Sequence, residues 1–341
     1  SNNVAGFFIE VSKLHSNKVP ITFKRRQTLV NAERYTTEKL SEFEKDIFSA
    51  KEKLAQLERK IYNDLISTIV NEAQSIIQLS RLLARLDVLQ SLAWIAYQES
   101  FTVPTILENT SSIQLEQAWH PLIKSVLKDQ FIAHDLNLNQ NCFFGLITGP
   151  NMAGKTTVMR EVAIIQYLAQ IGSFVPATHA TLGLCDYLFS RLGANDDIQA
   201  GQSTFMVEMS ETAEILRHAT SRSLIVLDEV GRGTSTYDGL SIAWALVEFF
   251  TEKVKALTLF STHYHELIDL AEKIPVAKNL TVETCGKGQN VQFLYRLIED
   301  SASQSYGIYV AKLAGIPTEI LNKASSILDI LESDETKIQD S

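Results

Sequence analysis

The feature that most constrains the fold is the stretch GPNMAGKT, which spans residues 149–156. It follows an apolar run at 143–147 that predicts a buried strand, and it precedes a segment, 156–171, whose apolar residues have helical spacing. A strand, then Gly-x-x-x-x-Gly-Lys-Thr, then a helix is the arrangement of a phosphate-binding loop. Its glycines let backbone N–H groups converge on phosphate oxygens, and the helix start adds partial positive charge. The stretch predicts a nucleotide site in which Lys155 reaches the β and γ phosphates and Thr156 ligates Mg²⁺.

Two carboxylates end another predicted strand. Residues 223–227 read Ser-Leu-Ile-Val-Leu, and Asp228 and Glu229 follow them. By themselves the two acids could simply cap a strand. Beside a phosphate loop, an Asp at this position holds the water shell of Mg²⁺, and an adjacent carboxylate orients and deprotonates the attacking water. The pair favours a hydrolytic motor or switch over a small kinase, which needs no such base.

Two further stretches place polar residues where an element begins or ends. A third predicted strand, 256–260, runs towards His263, which could contact the γ-phosphate but in isolation would more often be an ordinary loop histidine. A zinc site at His263 and its neighbours is rejected, because their spacing fits no helical pair of ligands. Ser203 and Thr204 begin a predicted helix; by themselves they indicate an N-cap, and such a helix start also binds anions.

The overall composition sets the class of protein. The chain has 341 residues, enough for about two or three domains, and its net charge of −9 argues against strong electrostatic binding of nucleic acid by the chain as a whole. Its cysteines lie far apart without a Cys-x-x-Cys pair, which argues against a disulfide framework or a zinc site. No apolar run approaches the length of a membrane span, and no signal peptide is visible. Because the chain lacks an initiator Met, we expect a fragment of a longer protein.

The order of predicted elements indicates a helical segment followed by an α/β layer. Apolar residues keep helical spacing over 40–61 and again over 82–96, and either an ordinary helical bundle or a stiff lever would account for them. From Cys142 onward strands and helices alternate, which predicts a largely parallel sheet. The predicted strands are 143–147, 223–228, 256–261 and 291–297, and the predicted helices are 156–171, 205–219 and 240–252. Residues 305–331 predict two short helices, and residues from 332 onward predict a frayed tail.

Several motifs occur in a fixed order along the chain. They are TGPNMAGKT at 148–156, STFMVEM at 203–209, DEVGRGTST at 228–236 and STHY at 261–264. Together they closely resemble the motifs of the MutS family of DNA mismatch-repair ATPases. The segments similar to that family's levers are 25–35 and 86–89, and those similar to its C-terminal dimerisation element are 305–308 and 314–317. The resemblance therefore extends over almost the whole chain.

The resemblance implies a fold class and an order of domains. The fold is an α/β P-loop ATPase domain of the ABC type, preceded by a long-helix lever segment and followed by a helix-turn-helix. Residues 1–24 would end the clamp segment and 25–108 would form the lever and core helices. Residues 109–304 would form the ATPase domain, and 305–341 the helix-turn-helix dimerisation element and tail.

The resemblance also implies a role for individual residues. Those that hold ATP or ADP at the phosphates would be Gly149, Pro150, Asn151, Met152, Ala153, Gly154, Lys155, Thr156 and Thr157. Thr156 and Asp228 would hold Mg²⁺, and Phe131 and Tyr295 would sandwich the adenine ring. The catalytic set would be Lys155, Glu229 as the base, His263 as the sensor of the γ-phosphate, and Ser203, which would reach the nucleotide of a partner subunit.

The implied activity is Mg²⁺-dependent ATP binding and hydrolysis at composite sites of a homodimer formed through the ATPase domain, coupled through lever helices to the state of a DNA clamp. The longer parent would bind mismatched double-stranded DNA and a MutL-type repair partner, without a membrane, in the bacterial cytoplasm at the nucleoid. Phe8-Ile9-Glu10 fits the family's Phe-x-Glu wedge but lies in a predicted strand. We therefore expect the fragment to lack the mismatch-reading domain.

Some positions depart from the family pattern. Tyr295 stands where His is frequent, which keeps a stacking face but alters any contact at the edge of the adenine. Gln202 stands where Arg is frequent, so one charge near the partner's phosphates is missing. Ala118-Trp119 replaces the usual Gly-Arg before His-Pro, which leaves the packing role of that turn open.

Two other functions are alternatives to mismatch repair. One is a non-repair MutS-like ATPase that clamps DNA junctions or acts in recombination, but the sequence of residues 231–236 favours repair. The other is the ATPase subunit of a transporter. That protein would carry a Leu-Ser-Gly-Gly signature and a surface for a membrane partner, and neither is seen in the sequence.

Overall fold

The structure is a computed structural model that describes residues 1, 6–128, 131–150, 153–193, 204–285, 292–301 and 307–339. The chain divides into two compact units, Ser1–Asp87 and Val88–Ser341. No helix within the described ranges has the length and hydropathy that a membrane span requires.

The first unit contains a small antiparallel sheet and a long helix. Its strands are β1 (Ile9–Ser12), β2 (Lys24–Thr28) and β3 (Ala32–Thr36), in the order β1-β3-β2. Helix α1 (Glu38–Asn71) begins after Thr37, whose hydroxyl accepts a hydrogen bond from the N–H of Leu40 at 3.1 Å. This contact satisfies one of the N–H groups that a helix start leaves without an intrahelical partner.

The helical periodicity of the sequence is confirmed over a long segment. After α1, helix α2 (Ala73–Gln98) runs across the boundary between the two units. No residue of α1 is buried, and most of its apolar residues are exposed; Ile47, for example, is 38% exposed and Ile61 is 59% exposed. Among the described residues of the first unit only Tyr35 is buried. Within the described residues of this unit, the helices therefore bury no bundle core of their own.

The second unit is built on a mostly parallel sheet. In chain order its strands are β4 (Thr105–Leu107), β5 (Ile113–Ala118), β6 (His134–Leu138), β7 (Phe144–Thr148), β8 (His179–Gly183), β9 (Leu188–Arg191), β10 (Leu224–Asp228), β11 (Leu257–Ser261), β12 (Ala277–Cys285) and β13 (Gln292–Ile298). The main sheet has the order β13-β12-β7-β11-β10-β9, in which only β13 pairs antiparallel to its neighbour. A smaller sheet has the order β4-β8-β5-β6. The predicted α/β layer with a largely parallel sheet is confirmed.

Helices cover this sheet and bury its central strands. They are α3 (Pro121–Leu127), α4 (Lys155–Gln170), α5 (Thr204–His218), α6 (Thr236–Phe249), α7 (Glu266–Lys273), α8 (Gly307–Leu313) and α9 (Thr318–Gln339). Every residue of β7, β10 and β11 is buried, as expected for parallel strands covered on both faces. Helix α4 packs Val158, Met159 and Ile165 into the same core. The strand ends that carry the candidate site residues are therefore held in place by a packed core.

One sequence prediction about the C-terminus is wrong. The segment from residue 332 onward was expected to be frayed, whereas α9 continues to Gln339. The reason is local, because residues 318–339 contain neither Gly nor Pro and so carry no strong signal that ends a helix.

A buried polar pair lies between α4 and β6. Glu161 and His134 are both buried, and His134 Nε2 lies 3.9 Å from Glu161 Oε2. Burial raises the pKa of Glu161 well above its ordinary value and lowers the pKa of His134 to about 4. Neither Glu161 Oε2 nor His134 Nδ1 has a hydrogen-bond partner among the described residues. Burial therefore favours the neutral form of both side chains, since an unpaired buried charge is unfavourable.

Replacing Glu161 by Gln should stabilise the protein at neutral and alkaline pH. The folded-state pKa of Glu161 lies above the ordinary value of 4.5, so the wild type loses stability as the pH rises from 4.5 through the folded pKa. Gln has the same shape and cannot ionise. The unfolding free energy of Glu161→Gln should exceed that of the wild type by roughly 1–3 kcal/mol at high pH, as measured by urea unfolding.

The gain should shrink towards acid pH, where Glu161 is protonated in both the folded and the unfolded chain. His134, whose folded pKa is lowered, costs both proteins the same stability as the pH falls below 6.5. The exposed residue Glu272 provides a matched control, and Glu272→Gln should show no such gain. A difference that is independent of pH would contradict the neutral state of Glu161.

Candidate functional site

The loop between β7 and α4 requires glycine at both of its ends. Gly149 has a φ of 122° and Gly154 a φ of 94°, a region that L side chains rarely adopt. A Cβ on Gly149 would also lie 3.3 Å from Thr281 Oγ1. Gly154 immediately precedes α4, so the loop leads into a helix start whose N–H groups favour anions. Asn151 and Met152, which were predicted to bind phosphate, lie outside the described residues.

Lys155 is a buried cation at the first position of α4. Its side chain is 1% exposed, and its Nζ lies 3.9 Å from Glu229 Oε1. The same Nζ donates a hydrogen bond to the carbonyl oxygen of Gly149. Burial lowers the pKa of Lys155, and the carboxylates of Glu229 and Asp228 oppose that shift. The amine thus lies within the loop, where it could meet a phosphate oxygen.

Thr156 and Asp228 bring together oxygen atoms suited to Mg²⁺. Thr156 Oγ1 donates a hydrogen bond to Asp228 Oδ2 at 2.8 Å, and Ser261 Oγ donates one to Asp228 Oδ1. Octahedral Mg²⁺ takes oxygen ligands at about 2.0–2.1 Å, which places neighbouring ligands about 2.9 Å apart. The separation of the two oxygens therefore fits adjacent positions around Mg²⁺. Thr157, the next residue of α4, is half-buried.

Glu229 has an unusual backbone conformation beside this pair. Its φ is 52°, a left-handed value that is uncommon for a residue other than glycine. Its N–H donates to both the carbonyl oxygen and the Oγ of Ser261, each at 3.1 Å. Its Oε2 accepts a hydrogen bond from Arg232 Nη1 at 2.6 Å. The carboxylate therefore lies in the site, next to Lys155, and is paired with an arginine that was not identified from the sequence.

His263 lies just beyond the end of β11. Its ring centroid is 4.1 Å from that of Tyr264. Partial burial lowers the pKa of His263, the Glu229 carboxylate opposes that shift, and the charges of Arg232 and Lys155 add to it. His263 therefore lies close enough to Glu229, Arg232 and Lys155 for their charges to affect its pKa. A neutral imidazole can donate a hydrogen bond to a phosphate oxygen without adding charge.

The two aromatic residues predicted to hold adenine lie on neighbouring parts of the fold. Phe131 precedes β6, is half-buried, and has its ring centroid 5.9 Å from that of His134. Tyr295 lies on β13, which packs against β6. A Cβ on Gly154 would lie 3.7 Å from a ring carbon of Tyr295, which is 47% exposed. Tyr295 therefore borders the phosphate loop, while Ser203 lies outside the described residues.

Two buried charged residues next to the site were not identified from the sequence. Arg191 ends β9 and is 8% exposed, and Glu208 of α5 is 4% exposed. Arg191 Nη1 donates to the carbonyl oxygen of Asp228 at 3.2 Å, and Arg191 Nη2 lies 3.5 Å from Glu208 Oε2. Both residues line a cavity of about 330 Å³ that also borders Asp228 and Glu229. A cation at the end of one short strand is a weak sequence signal, so this contact could not be anticipated.

Two models of protein families match the chain. Residues 145–332 match the model described as MutS domain V, and residues 1–53 match MutS family domain IV. The first of these matches covers more than half of the chain and includes the loop, both acids and His263.

Curated proteins are similar to the chain over nearly its whole length. It is 48% identical over 334 residues to the DNA mismatch repair protein MutS of Acetivibrio thermocellus, an alignment that covers 97% of this chain and 38% of the relative. It is 50% identical over 342 residues to the DNA mismatch repair protein MutS of Carboxydothermus hydrogenoformans, covering 99% of this chain and 40% of the relative. The chain thus spans about two fifths of the length of these relatives.

Lys155→Ala should lose most of its affinity for ATP, because it removes the buried amine that lies within the loop and could bind a phosphate oxygen. We expect the dissociation constant to rise roughly 10- to 100-fold, the range for a hydrogen bond to a charged group. Calorimetric titration with Mg²⁺ and ATP measures the change. The exposed residue Lys253 provides the control, since Lys253→Ala should bind as the wild type does. Equal affinity in Lys155→Ala and the wild type would remove the assignment of the phosphate loop.

Proposed function

Because this chain belongs to the MutS family, we propose that it is the ATP-binding and ATP-hydrolysing part of a DNA mismatch-repair protein. The domain V that matches residues 145–332 is an ABC-type ATPase domain. The observation that carries the proposal is the contact of Thr156 Oγ1 with Asp228 Oδ2 at 2.8 Å, next to the Lys155 amine. A hydroxyl, a carboxylate and a buried amine in one place are the groups that a nucleotide phosphate with Mg²⁺ requires.

Binding of ATP or ADP would use the loop and the start of α4. The backbone of residues 149–157 would surround the phosphates, and Lys155 would exchange its contact with the Gly149 carbonyl for a phosphate oxygen. Thr156 and Asp228 would hold Mg²⁺, which when bound neutralises charge on the phosphates. Tyr295, on the side of the loop, supports the proposal that adenine stacks between it and Phe131.

Hydrolysis would depend on the carboxylate of Glu229. A water between this carboxylate and the γ-phosphate would be oriented and would lose its proton to Glu229. His263 would donate a hydrogen bond to the γ-phosphate as a neutral imidazole, in keeping with the lowered pKa of its ring. Arg232 pairs with Glu229, and because its side chain is 65% exposed, water could solvate the guanidinium when the carboxylate turns to the attacking water.

Completion of each site would require a second copy of the chain. Ser203, the residue before α5 in the sequence, would reach the γ-phosphate bound by the partner, as the resemblance of residues 203–209 implies. Helices α8 and α9 would contribute to the homodimer as a helix-turn-helix. In support, Ile316, Ile320 and Ile327 of this segment are exposed apolar residues. Such residues are suited to burial against a partner.

The longer protein would connect this site to DNA. Helices α1 and α2 together cover residues 38–98 with a single interruption at Glu72, a geometry suited to a lever. The parent would bind mismatched double-stranded DNA and a MutL-type partner in the bacterial cytoplasm, at the nucleoid. The names of the similar proteins support a role in DNA mismatch repair.

Glu229→Gln should keep ATP binding and lose turnover. Gln has the shape of Glu but cannot accept the proton of the attacking water, so we expect kcat to fall roughly 100- to 1000-fold. Phosphate release measures kcat, and calorimetry measures ATP affinity, which should be unchanged. The exposed residue Glu252 provides a control, because Glu252→Gln should hydrolyse ATP at the wild-type rate. A normal rate in Glu229→Gln would show that another group is the base.

The specific activity of the chain should rise with protein concentration, because each site would be completed by a partner. Truncation after residue 304 should shift this rise to higher concentration if α8 and α9 carry the dimer contact. Sedimentation velocity on the same samples would give the fraction of dimer. Full activity in a strictly monomeric sample would contradict composite sites, and an unchanged dimer after truncation would contradict the role of α8 and α9.

A further inference from the structure

The backbone at Glu229 is held in a conformation that the residue would not adopt by itself. Its φ of 52° lies in the left-handed region, where the Cβ of an L residue approaches the backbone too closely. Such a conformation persists only where the surrounding structure fixes it. Its own N–H is fixed by Ser261, through two contacts of 3.1 Å. The peptide groups that follow Glu229 in the chain are held as well.

Gly231 supplies that restraint through both of its backbone polar groups. Its N–H donates to Glu208 Oε1 at 2.5 Å, and its carbonyl oxygen accepts from the Tyr264 hydroxyl at 3.1 Å. A Cβ on Gly231 would lie 2.7 Å from the carbonyl oxygen of Gly239, so the loop is packed directly against α6. The two residues after the predicted base therefore cannot shift without breaking buried hydrogen bonds.

Arg191 extends the same set of contacts to the metal-binding strand. One of its nitrogens donates to the Asp228 carbonyl oxygen at 3.2 Å, and another lies 3.5 Å from Glu208 Oε2. A buried ion pair of this kind adds little net stability, because desolvation offsets the attraction between the charges. Its main effect is on geometry, since it fixes the Glu208 carboxylate that holds Gly231.

We propose that Arg191, Glu208 and Tyr264 are positioning residues, which hold the backbone on both sides of Glu229 so that its carboxylate points into the nucleotide site. We call these three residues the Gly231 clamp. The proposal rests on the proposed function, in which Glu229 is the base. Tyr264 adjoins His263, with ring centroids 4.1 Å apart, so the clamp also ties the predicted γ-phosphate sensor to the base.

Two variants test the clamp with minimal change of shape. Tyr264→Phe removes one hydroxyl, and Glu208→Gln keeps an oxygen that can accept from Gly231 while it breaks the ion pair with Arg191. Glu208→Ala removes both contacts. The matched control is Glu214→Ala, because Glu214 lies on the same helix, is 55% exposed, and within the described part of the chain forms ion pairs only with Arg217 and His218 of α5.

Steady-state hydrolysis separates positioning from binding. We expect Tyr264→Phe and Glu208→Ala to lower kcat roughly 10- to 100-fold while the KM for ATP stays near the wild-type value, since misplacement of a catalytic group affects the chemical step. Glu208→Gln should recover part of the loss, and Glu214→Ala should behave as the wild type does. A higher KM with normal kcat, or normal values of both, would overturn the proposal. If Glu208→Ala does not fold, the kcat and KM of Tyr264→Phe alone test the proposal.

Hydrogen exchange of the nucleotide-free chain tests the clamp independently of activity. Loss of the contact from Glu208 should accelerate exchange in peptides that cover residues 229–233 roughly 5- to 30-fold, with no change in peptides from β7. If the wild type hydrolyses no ATP, the proposed function fails, and exchange alone then decides whether the clamp exists. Unchanged exchange at 229–233 in Glu208→Ala would overturn the clamp. Faster exchange with normal kcat would overturn its role in positioning Glu229.

Discussion

The candidate site depends on the parallel pairing of three buried strands. The register of β10, β11 and β7 places Asp228 opposite Ser261, and Ser261 opposite Ile147. Because parallel strands end at the same edge of a sheet, the phosphate loop, the two acids and the His263 segment all begin there. Contacts across the edge fix their spacing; the N–H of Thr262, for example, donates to the carbonyl oxygen of Ile147 at 3.0 Å. Segments far apart in sequence become one site through backbone geometry.

This edge of the sheet carries charged side chains of both signs, Lys155 and Arg232 on one hand and Asp228 and Glu229 on the other. Burial disfavours the charged form of Lys155, and the carboxylates of Glu229 and Asp228 favour it. A phosphate alone would be attracted by Lys155 and the start of α4 but repelled by the carboxylate of Asp228. A metal ion alone would be attracted by Asp228 but repelled by the positive charge of Lys155. On the proposed function, nucleotide and Mg²⁺ therefore bind best together, because each offsets the charge that opposes the other.

The local parts of this site could be predicted from the sequence, and the parts made by long-range contacts could not. Apolar runs and the loop motif predicted β7, α4 and the strand before Asp228, and the structure brings Thr156 and Asp228 into direct contact. Arg191 was missed because it contacts Asp228 across 37 residues, and no local pattern marks such a partner. The left-handed backbone of Glu229 was missed for a similar reason, since surrounding contacts rather than intrinsic preference impose it.

Glu229 is restrained in two ways that differ in how readily they can be released. Its side chain is held by Arg232, whose guanidinium is 65% exposed, so water can solvate the guanidinium once the pair breaks. Its backbone adjoins Gly231, whose partners Glu208 and Tyr264 are each 4% exposed, and breaking buried hydrogen bonds leaves unsatisfied groups at greater cost. On the proposed function, the carboxylate can therefore leave Arg232 for a water while the backbone that aims it stays fixed. The contact with Arg232 would then decide whether the Glu229 carboxylate is free to bind water, and the contacts at Gly231 would decide where it points.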